Sequence, residues 1–144
     1  ILIDTNIIIS FLFPTDKSAR AREILETSNG PIITVSVLEE TVYVGLSLIY
    51  GSYGFKLRDQ LKRELKGTAR IFLDQLKSFL IEYRIEVLSI PEDPDLLFES
   101  VATYRLLPND AAIVAACRYY GIKNIATFDS DFNRVGDLKV ISYQ

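Results

Sequence analysis

Short apolar runs alternate with amphipathic stretches along most of the chain. A short apolar run bounded by turn residues is typical of a buried parallel strand, and apolar residues three or four apart are typical of a helix packed on the sheet. The predicted strands are 1–3, 32–34, 86–90, 124–128 and 139–142. The predicted helices are 18–28, 37–50, 93–106 and 109–120. This alternation predicts a three-layer α/β/α sandwich around a mostly parallel sheet of about five strands.

Residues 50–84 interrupt the alternation. Glycines there separate two stretches of helical pattern, at 55–66 and 68–83. The first stretch has one apolar stripe in which leucine recurs every fourth residue, at Leu57, Leu61 and Leu65. We therefore predict a helical hairpin inserted beside the core of a single domain that spans 1–144.

Charge is distributed unevenly along the 144 residues, whose net charge is −3. The segment 54–84 contains eight Lys and Arg against four Asp and Glu, whereas the rest of the chain contains eight against fifteen. A basic segment on an acidic body is expected of a carboxylate metal site with a phosphate-binding arm, and also of an ordinary solvated helix face. Charge alone favours the second interpretation.

The residue types that the chain lacks narrow the chemistry further. It has no histidine and a single cysteine, Cys117, which excludes histidine-dependent hydrolysis, histidine- or thiolate-built zinc sites and an internal disulfide. Carboxylates remain available, and a site with oxygen ligands only suits Mg²⁺, Mn²⁺ or Ca²⁺. One cysteine fits a reducing, cytoplasmic location, and no apolar run is long enough to predict a membrane span.

Three aspartates occupy positions at which parallel sheets form their sites. Asp4 and Asp129 each follow a predicted buried strand. Asp110 follows Asn109, a good N-cap, in the predicted first turn of a helix. Each position alone has an ordinary explanation as a strand end or helix start. Right-handed connections bring all three to one edge of the sheet, however, and the carboxylates repel one another there unless a cation lies between them.

The fourth acidic residue is Glu39 or Glu40. The segment Ser36-Val37-Leu38-Glu39 matches a capping box, in which Ser36 caps the helix and Glu39 bonds back to the cap amide. This role for Glu39 leaves Glu40 as the predicted member of the site.

Asp4 also fits a different class of enzyme. Phosphotransferases of the haloacid dehalogenase type use an Asp after the first strand as nucleophile and usually need a second Asp two residues later, where this chain has Asn6. A non-catalytic module that binds RNA or protein is the other alternative, and the complete set of carboxylates argues against it.

Four segments, in chain order, resemble the PIN-domain family. They are Ile-Leu-Ile-Asp-Thr-Asn, Val-Ser-Val-Leu-Glu-Glu-Thr-Val-Tyr, Leu-Pro-Asn-Asp-Ala-Ala-Ile-Val-Ala-Ala-Cys and Ile-Ala-Thr-Phe-Asp-Ser-Asp-Phe. The catalytic residues that the resemblance implies are Asp4, Glu40, Asp110 and Asp129. The implied metal ligands are Asp4, Asp110, Asp129 and Asp131. The polar residues that it places beside them are Asn6 and Thr127.

The resemblance implies Mg²⁺- or Mn²⁺-dependent hydrolysis of single-stranded RNA, leaving a 5′-phosphate and a 3′-hydroxyl. Many small members are VapC-like toxins of toxin–antitoxin pairs and many form homodimers, so an antitoxin protein and a second copy are expected partners, without a membrane. The basic residues that we expect to contact the RNA backbone are Lys56, Arg58, Lys62 and Arg63. Tyr50 and Tyr53 are available to stack on bases, although packing is the commoner role of a tyrosine.

Overall fold

The structure is a computed structural model that describes residues 1–142 of the chain. The strands are β1 (Leu2–Ile3), β2 (Ile32–Thr34), β3 (Glu86–Leu88), β4 (Asn124–Ala126) and β5 (Lys139–Ile141). The helices are α1 (Thr5–Leu12), α2 (Ser18–Thr27), α3 (Val35–Tyr50), α4 (Gly54–Arg63), α5 (Gly67–Glu82), α6 (Pro94–Tyr104) and α7 (Pro108–Tyr120), and a 3₁₀-helix spans Ser130–Arg134. Within 1–142, none of the helices is long and apolar enough to cross a membrane.

The five strands form one sheet in the order β3-β2-β1-β4-β5, and every pair of neighbours is parallel. This confirms the predicted α/β fold, with a sheet that is wholly rather than mostly parallel. Strand β1 lies at the centre, where Leu2 pairs with Ile32 on one side and Ile125 on the other. Leu2 and Ile3 have no exposed surface, because strands and helices enclose them on every side.

The strand order also determines where a site can form. The chain continues from β1 to β2 on one side, while β4 returns on the other side of β1. Such a reversal opens a crevice at the carboxyl ends of the central strands, where ligands bind in open parallel sheets. The residues that directly follow β1 and β4 are Asp4 and Thr127.

Helix α1 is the element that the sequence pattern did not predict. Its sequence, Thr-Asn-Ile-Ile-Ile-Ser-Phe-Leu, contains three consecutive isoleucines, and β-branched residues favour strands. The helix forms because the Asp4 carboxylate caps it, accepting a 2.7 Å hydrogen bond from the Thr5 N–H, and because Ile7 and Ile8 are fully buried in the core. Burial against the sheet outweighs the weak local preference.

Helices α4 and α5 match the predicted hairpin within a few residues at each end. The predicted leucine stripe is wrong beyond its first member. Leu57 is buried against α3, but 36% of Leu61 and 46% of Leu65 are exposed, and Leu65 lies outside α4. Leucine spacing alone could not show that α4 contacts the body over only part of its length.

Helix α5 packs into the main core of the protein. Phe72, Leu76 and Phe79 are almost completely buried in the same cluster as strand β1. The closest approach is at Gly45 of α3, where an added Cβ would lie 2.1 Å from the end of the Phe72 ring. Glycine at this position therefore allows α5 to pack directly against α3.

Candidate metal centre

Asp4 has the least exposed carboxylate of the site, with only 4% of the residue accessible to solvent. One carboxylate oxygen, Oδ1, accepts from the Thr5 N–H. The other, Oδ2, accepts from the Asn6 amide at 3.1 Å and from the Thr127 hydroxyl at 2.7 Å. These three hydrogen bonds fix the carboxylate at the carboxyl end of β1 and favour its charged form.

Asn6 and Thr127 connect the ends of β1 and β4. The fully buried Thr127 hydroxyl donates to Asp4 and accepts from the Asn6 amide at 3.1 Å and from the Asp129 N–H at 3.0 Å. The Asn6 carbonyl oxygen accepts from the Phe128 N–H at 3.1 Å. Both residues thus lie beside the carboxylates, as the motif comparison implied, and they hold Asp4 and Asp129 in fixed relation across the sheet edge.

The start of α3 differs from the prediction. Thr34 is the N-cap, and its hydroxyl accepts from the Val37 N–H at 3.2 Å. Ser36 lies inside the helix, so the predicted capping box of Ser36 and Glu39 is wrong. The helix begins two residues earlier because Thr34, the last residue of β2, itself supplies the capping oxygen.

Glu40 lies in the site and Glu39 does not. Glu39 is exposed, whereas Glu40 is partly buried and its Oε2 accepts a 2.8 Å hydrogen bond from the Thr5 hydroxyl. The sequence favours Glu40 only because a capping box would give Glu39 a structural role, and the structure does not have this capping box. The contact that separates the two glutamates joins residues 35 positions apart, and no local pattern could show it.

Asp110 lies in the first turn of α7, as predicted, but Asn109 is not the N-cap. Leu107 occupies that position with an extended backbone and no capping side chain, and Pro108 is the first helical residue. Asp110 is partly buried. One carboxylate oxygen from each of Asp110, Asp129 and Asp131 lies within 4.8 Å of the others, a spacing at which a single cation can contact all three.

Burial, together with the mutual repulsion of the acids, raises the pKa of two of these carboxyl groups. Burial raises the pKa of Asp4 from 3.8 to about 6, and the charges of Glu40 and Asp129 contribute, although hydrogen bonds from Thr127 and Thr5 oppose the rise. Burial also raises the pKa of Asp110 to about 6, with further contributions from Asp4, Asp129 and the two other acids nearby. Without a cation, the site therefore holds negative charge at a cost in free energy.

The carboxylates surround one cleft of about 270 Å³. Its acidic lining residues are Asp4, Glu40, Asp110 and Asp129. Three clefts elsewhere in the part of the chain that the structure describes, of about 450, 390 and 360 Å³, are larger. Size does not identify the site here, because the smaller cleft is the one on which four carboxylates from separate parts of the chain converge.

The donor set fits a hard divalent cation. Every charged group that lines the cleft within residues 1–142 is a carboxylate, and no Lys or Arg lines it. Oxygen ligands around a compact negative site match the preference of Mg²⁺ and Mn²⁺. Asp131 differs from the others because half of its side chain is exposed and it forms a 3.5 Å ion pair with Arg134.

The predicted RNA-contacting residues lie outside this cleft. Lys56, Arg58, Lys62 and Arg63 are all exposed on α4. Tyr50, which the sequence left available for stacking, is buried, with its hydroxyl donating to the Glu64 carbonyl at 2.7 Å and accepting from the Lys66 N–H at 2.9 Å. Its role is structural, so the stacking interpretation of Tyr50 is wrong.

Comparison with known proteins finds a matching family model and related sequences. The family model described as PIN domain matches residues 1–138. Ribonuclease VapC6 of Methanocaldococcus jannaschii is 55% identical over 38 residues, which are 26% of this chain and 25% of that protein. Ribonuclease VapC2 of the same organism is 41% identical over 73 residues, or 46% of this chain and 49% of that protein. The matched segments thus cover half or less of these relatives.

Among solved structures, a toxin–antitoxin complex from Klebsiella pneumoniae contains a chain that matches this one with a TM-score of 0.64 and 20% identity. The match covers 98% of this chain and 95% of that chain. Likeness at this level of identity shows that the fold is shared.

Proposed function

Because the chain belongs to the PIN-domain family, we propose that it is an endoribonuclease that hydrolyses phosphodiester bonds of single-stranded RNA with Mg²⁺ or Mn²⁺. The observation that carries the proposal is the convergence of four carboxylates on one cleft whose lining, within residues 1–142, includes no cationic side chain. The relatives that share segments of sequence are named ribonucleases, which agrees with this chemistry.

The carboxylates of the cleft are proposed to bind the metal ion. The proposed metal ligands are Asp4, Asp110, Asp129 and Asp131, with Glu40 completing the site. A bound divalent ion supplies positive charge that attracts the phosphodiester and lowers the pKa of water. The chain's own contribution is the rigid placement of the ligands, which the hydrogen bonds of Thr127 and Asn6 provide.

Glu40 is the proposed proton acceptor for the attacking water. The chain has no histidine, so this role falls to a carboxylate. Asp4 already accepts three hydrogen bonds from protein groups and is almost fully buried. Glu40 accepts one, from Thr5, and therefore keeps lone pairs available to the cleft.

The acidic cleft cannot attract RNA phosphates by itself, so we assign that role to the exposed cations of α4. Helix α4 contains four basic residues and a single acidic residue, Asp59. The basic residues are Lys56, Arg58, Lys62 and Arg63. An exposed surface charge gains little from the folded protein but neutralises a phosphate well.

The phosphatase alternative has less support. Asn6 stands where a general acid would be needed, and its amide donates to Asp4 rather than carrying a proton to exchange. The likeness to a toxin–antitoxin complex supports a second proposal, that an antitoxin protein binds this chain. The homodimer and the cytoplasmic location expected from the sequence stay predictions.

Metal dependence tests the function directly. We expect the purified protein to cleave a labelled single-stranded RNA in Mg²⁺ or Mn²⁺, to lose that activity in EDTA, and to regain it when metal is restored. Calorimetric titration with Mn²⁺ should show binding that Asp110→Asn weakens. Full cleavage in excess chelator would contradict the metal-dependent mechanism.

A further inference from the structure

Two aromatic rings at the start of α4 are unusually exposed. Tyr53 is 80% exposed and Phe55 is 76% exposed, and within residues 1–142 only Leu107, at 78%, matches them among large apolar side chains. Leaving a large apolar side chain in water forgoes the free energy of burying it. Two such rings within three residues form an apolar patch of the kind that marks a binding surface.

A hydrogen bond joins the segment that carries these rings to α3, the helix that carries Glu40 of the cleft. Gly54, between them, donates its N–H to the Tyr43 hydroxyl at 2.9 Å. Tyr43 is on α3, three residues after Glu40 and next to Val44, which lines the cleft. Residues three or four apart on a helix are neighbours on one face, about one turn or 5 Å along the axis. The surface therefore runs from the cleft, over Tyr43, to the start of α4.

Positive charge accompanies the rings. The guanidinium carbon of Arg58 lies 4.9 Å from the centre of the Phe55 ring, so a positive charge and an exposed aromatic ring are adjacent on this surface. Lys56 is next to Phe55 in the chain and is exposed. Aromatic rings for bases together with cations for phosphates are the combination by which proteins hold single-stranded nucleic acid. A polyanion suits this surface better than an apolar partner does, since α4 has four cations and one anion.

We propose that Tyr53 and Phe55 form a stacking platform for unpaired bases of the RNA, beside the phosphodiester that the cleft cleaves. The proposal rests on the function proposed above and specifies its substrate, a strand with unpaired bases next to the cleavage position. A double-stranded substrate cannot use the platform, because its bases already stack on one another.

The experiment compares two oligonucleotides with equal numbers of phosphates, one with all bases and one with abasic positions. Affinity is measured by fluorescence anisotropy with the Asp110→Asn protein, so that the RNA stays intact. We expect Phe55→Ala to weaken binding of the complete strand by about tenfold, as loss of one stacked base would, and Phe55→Trp to restore it. Binding of the abasic strand should be the same with and without Phe55→Ala.

The matched control is Phe98→Ala, which removes a ring that is 64% exposed on α6 and should leave both affinities unchanged. Equal affinity of Phe55→Ala and its parent for the complete strand would overturn the platform. A changed mass in solution with unchanged RNA affinity would also overturn it and identify the rings as an assembly surface. If the unaltered protein still cleaves RNA in a metal-dependent way, only the platform fails, whereas absence of cleavage rejects the proposed function itself.

Discussion

The acidic cleft and the basic helix α4 are organised in opposite ways. In the cleft, Asp4 is nearly buried and Thr127 is fully buried, and their hydrogen bonds to each other and to Asn6 of α1 join the carboxyl ends of β1 and β4. On α4 the cations are exposed, and Arg58 forms its 3.2 Å ion pair with its neighbour Asp59. Long-range hydrogen bonds hold the carboxylates of Asp4 and Glu40 in place, whereas the exposed cations of α4 can move and contact a flexible substrate. Changes in the first region should therefore act on catalysis, and changes in the second on binding.

The largest effect is expected from Asp110→Asn, which removes one charge from the cleft. The rate of RNA cleavage should fall on the order of 100-fold or more, because the carboxylate helps to bind the metal ion and the metal ion stabilises the charge of the transition state. Initial rates in saturating RNA measure this, and circular dichroism should show an unchanged fold.

Asp95→Asn is the matched control, because Asp95 is also an acid in the first turn of a helix that begins with proline, but outside the cleft. It should leave the rate unchanged. Equal losses from the two substitutions would mean that Asp110 matters only as a helix-starting residue, and the assignment of the cleft would be wrong.

The next effect concerns the packing of α5 against α3, the helix that carries Glu40. Gly45→Ala places a methyl group against the buried Phe72 ring and should lower the free energy of unfolding by about 1–3 kcal/mol, because the ring has little room to move. Gly67→Ala, where nothing lies within 4 Å, should be neutral or slightly stabilising. Urea denaturation of both variants measures the difference, and equal stability would show that α5 does not need its close approach to α3.

Thr5→Val should lower the cleavage rate roughly tenfold, in line with the loss of one hydrogen bond to a charged group. The substitution keeps the buried shape and removes the hydroxyl that donates to Glu40. Thr5→Ser should retain most of the rate. In a Glu40→Gln background the effect of Thr5→Val should largely disappear, and full additivity of the two losses would show that Thr5 does not act through Glu40.

The pH dependence of metal-free stability should distinguish the cleft in a further way. The folded-state pKa of Asp110 is about 6 against 3.8 for the ordinary group, so the folded protein binds the proton more tightly than the unfolded chain. The charged carboxylate thus destabilises the fold above pH 6, and this penalty disappears as the pH falls towards 3.8. Within residues 1–142 no protein group donates a hydrogen bond to the Asp110 carboxylate, which faces Asp129 and Asp131, so Asn replaces it without losing one.

In EDTA at pH 8, Asp110→Asn should therefore be more stable than wild type, by roughly 1 kcal/mol after allowance for the exposed part of the side chain. The gap should close near pH 4. Asp4→Asn should gain less, because its carboxylate accepts three hydrogen bonds that an amide cannot all accept. Thermal melts between pH 4 and pH 8 measure the stability of both variants. A lower stability of Asp110→Asn than of wild type at pH 8 would contradict the proposal that the charged Asp110 carboxylate destabilises the metal-free fold.

The sequence predicted the framework of this molecule better than its details, for physical reasons. Buried parallel strands are continuous apolar runs, so the strand that ends directly before Asp4 could be located. The strand before Asp129 ends at Ala126, two residues earlier than predicted, and Asp129 instead caps the 3₁₀-helix. Helix α1 was missed, because its isoleucines favour a strand when read alone and only the packed core reveals the helix. The bond from Thr5 to Glu40 was missed because it joins residues distant in the chain.

The smallest effect is expected when Lys62 and Arg63 of α4 are both replaced by Ala. This double variant tests whether α4 acts on RNA binding and not on catalysis. Each cation that neutralises a phosphate of a single strand contributes about 0.7 to the slope of log affinity against log salt, because it releases condensed counterions. The double variant should therefore bind every RNA sequence more weakly by a similar factor, with a salt slope lower by up to about 1.4.

The rate of cleavage by the double variant at saturating RNA should change little, since these contacts are equal in the ground and transition states. Lys123 and Lys139 provide the matched control, because they are exposed at the amino-terminal ends of β4 and β5, outside α4 and the cleft, and replacing both makes the same change of charge. An equal change in slope from the two double variants would mean that RNA responds to the total charge of the protein and not to α4.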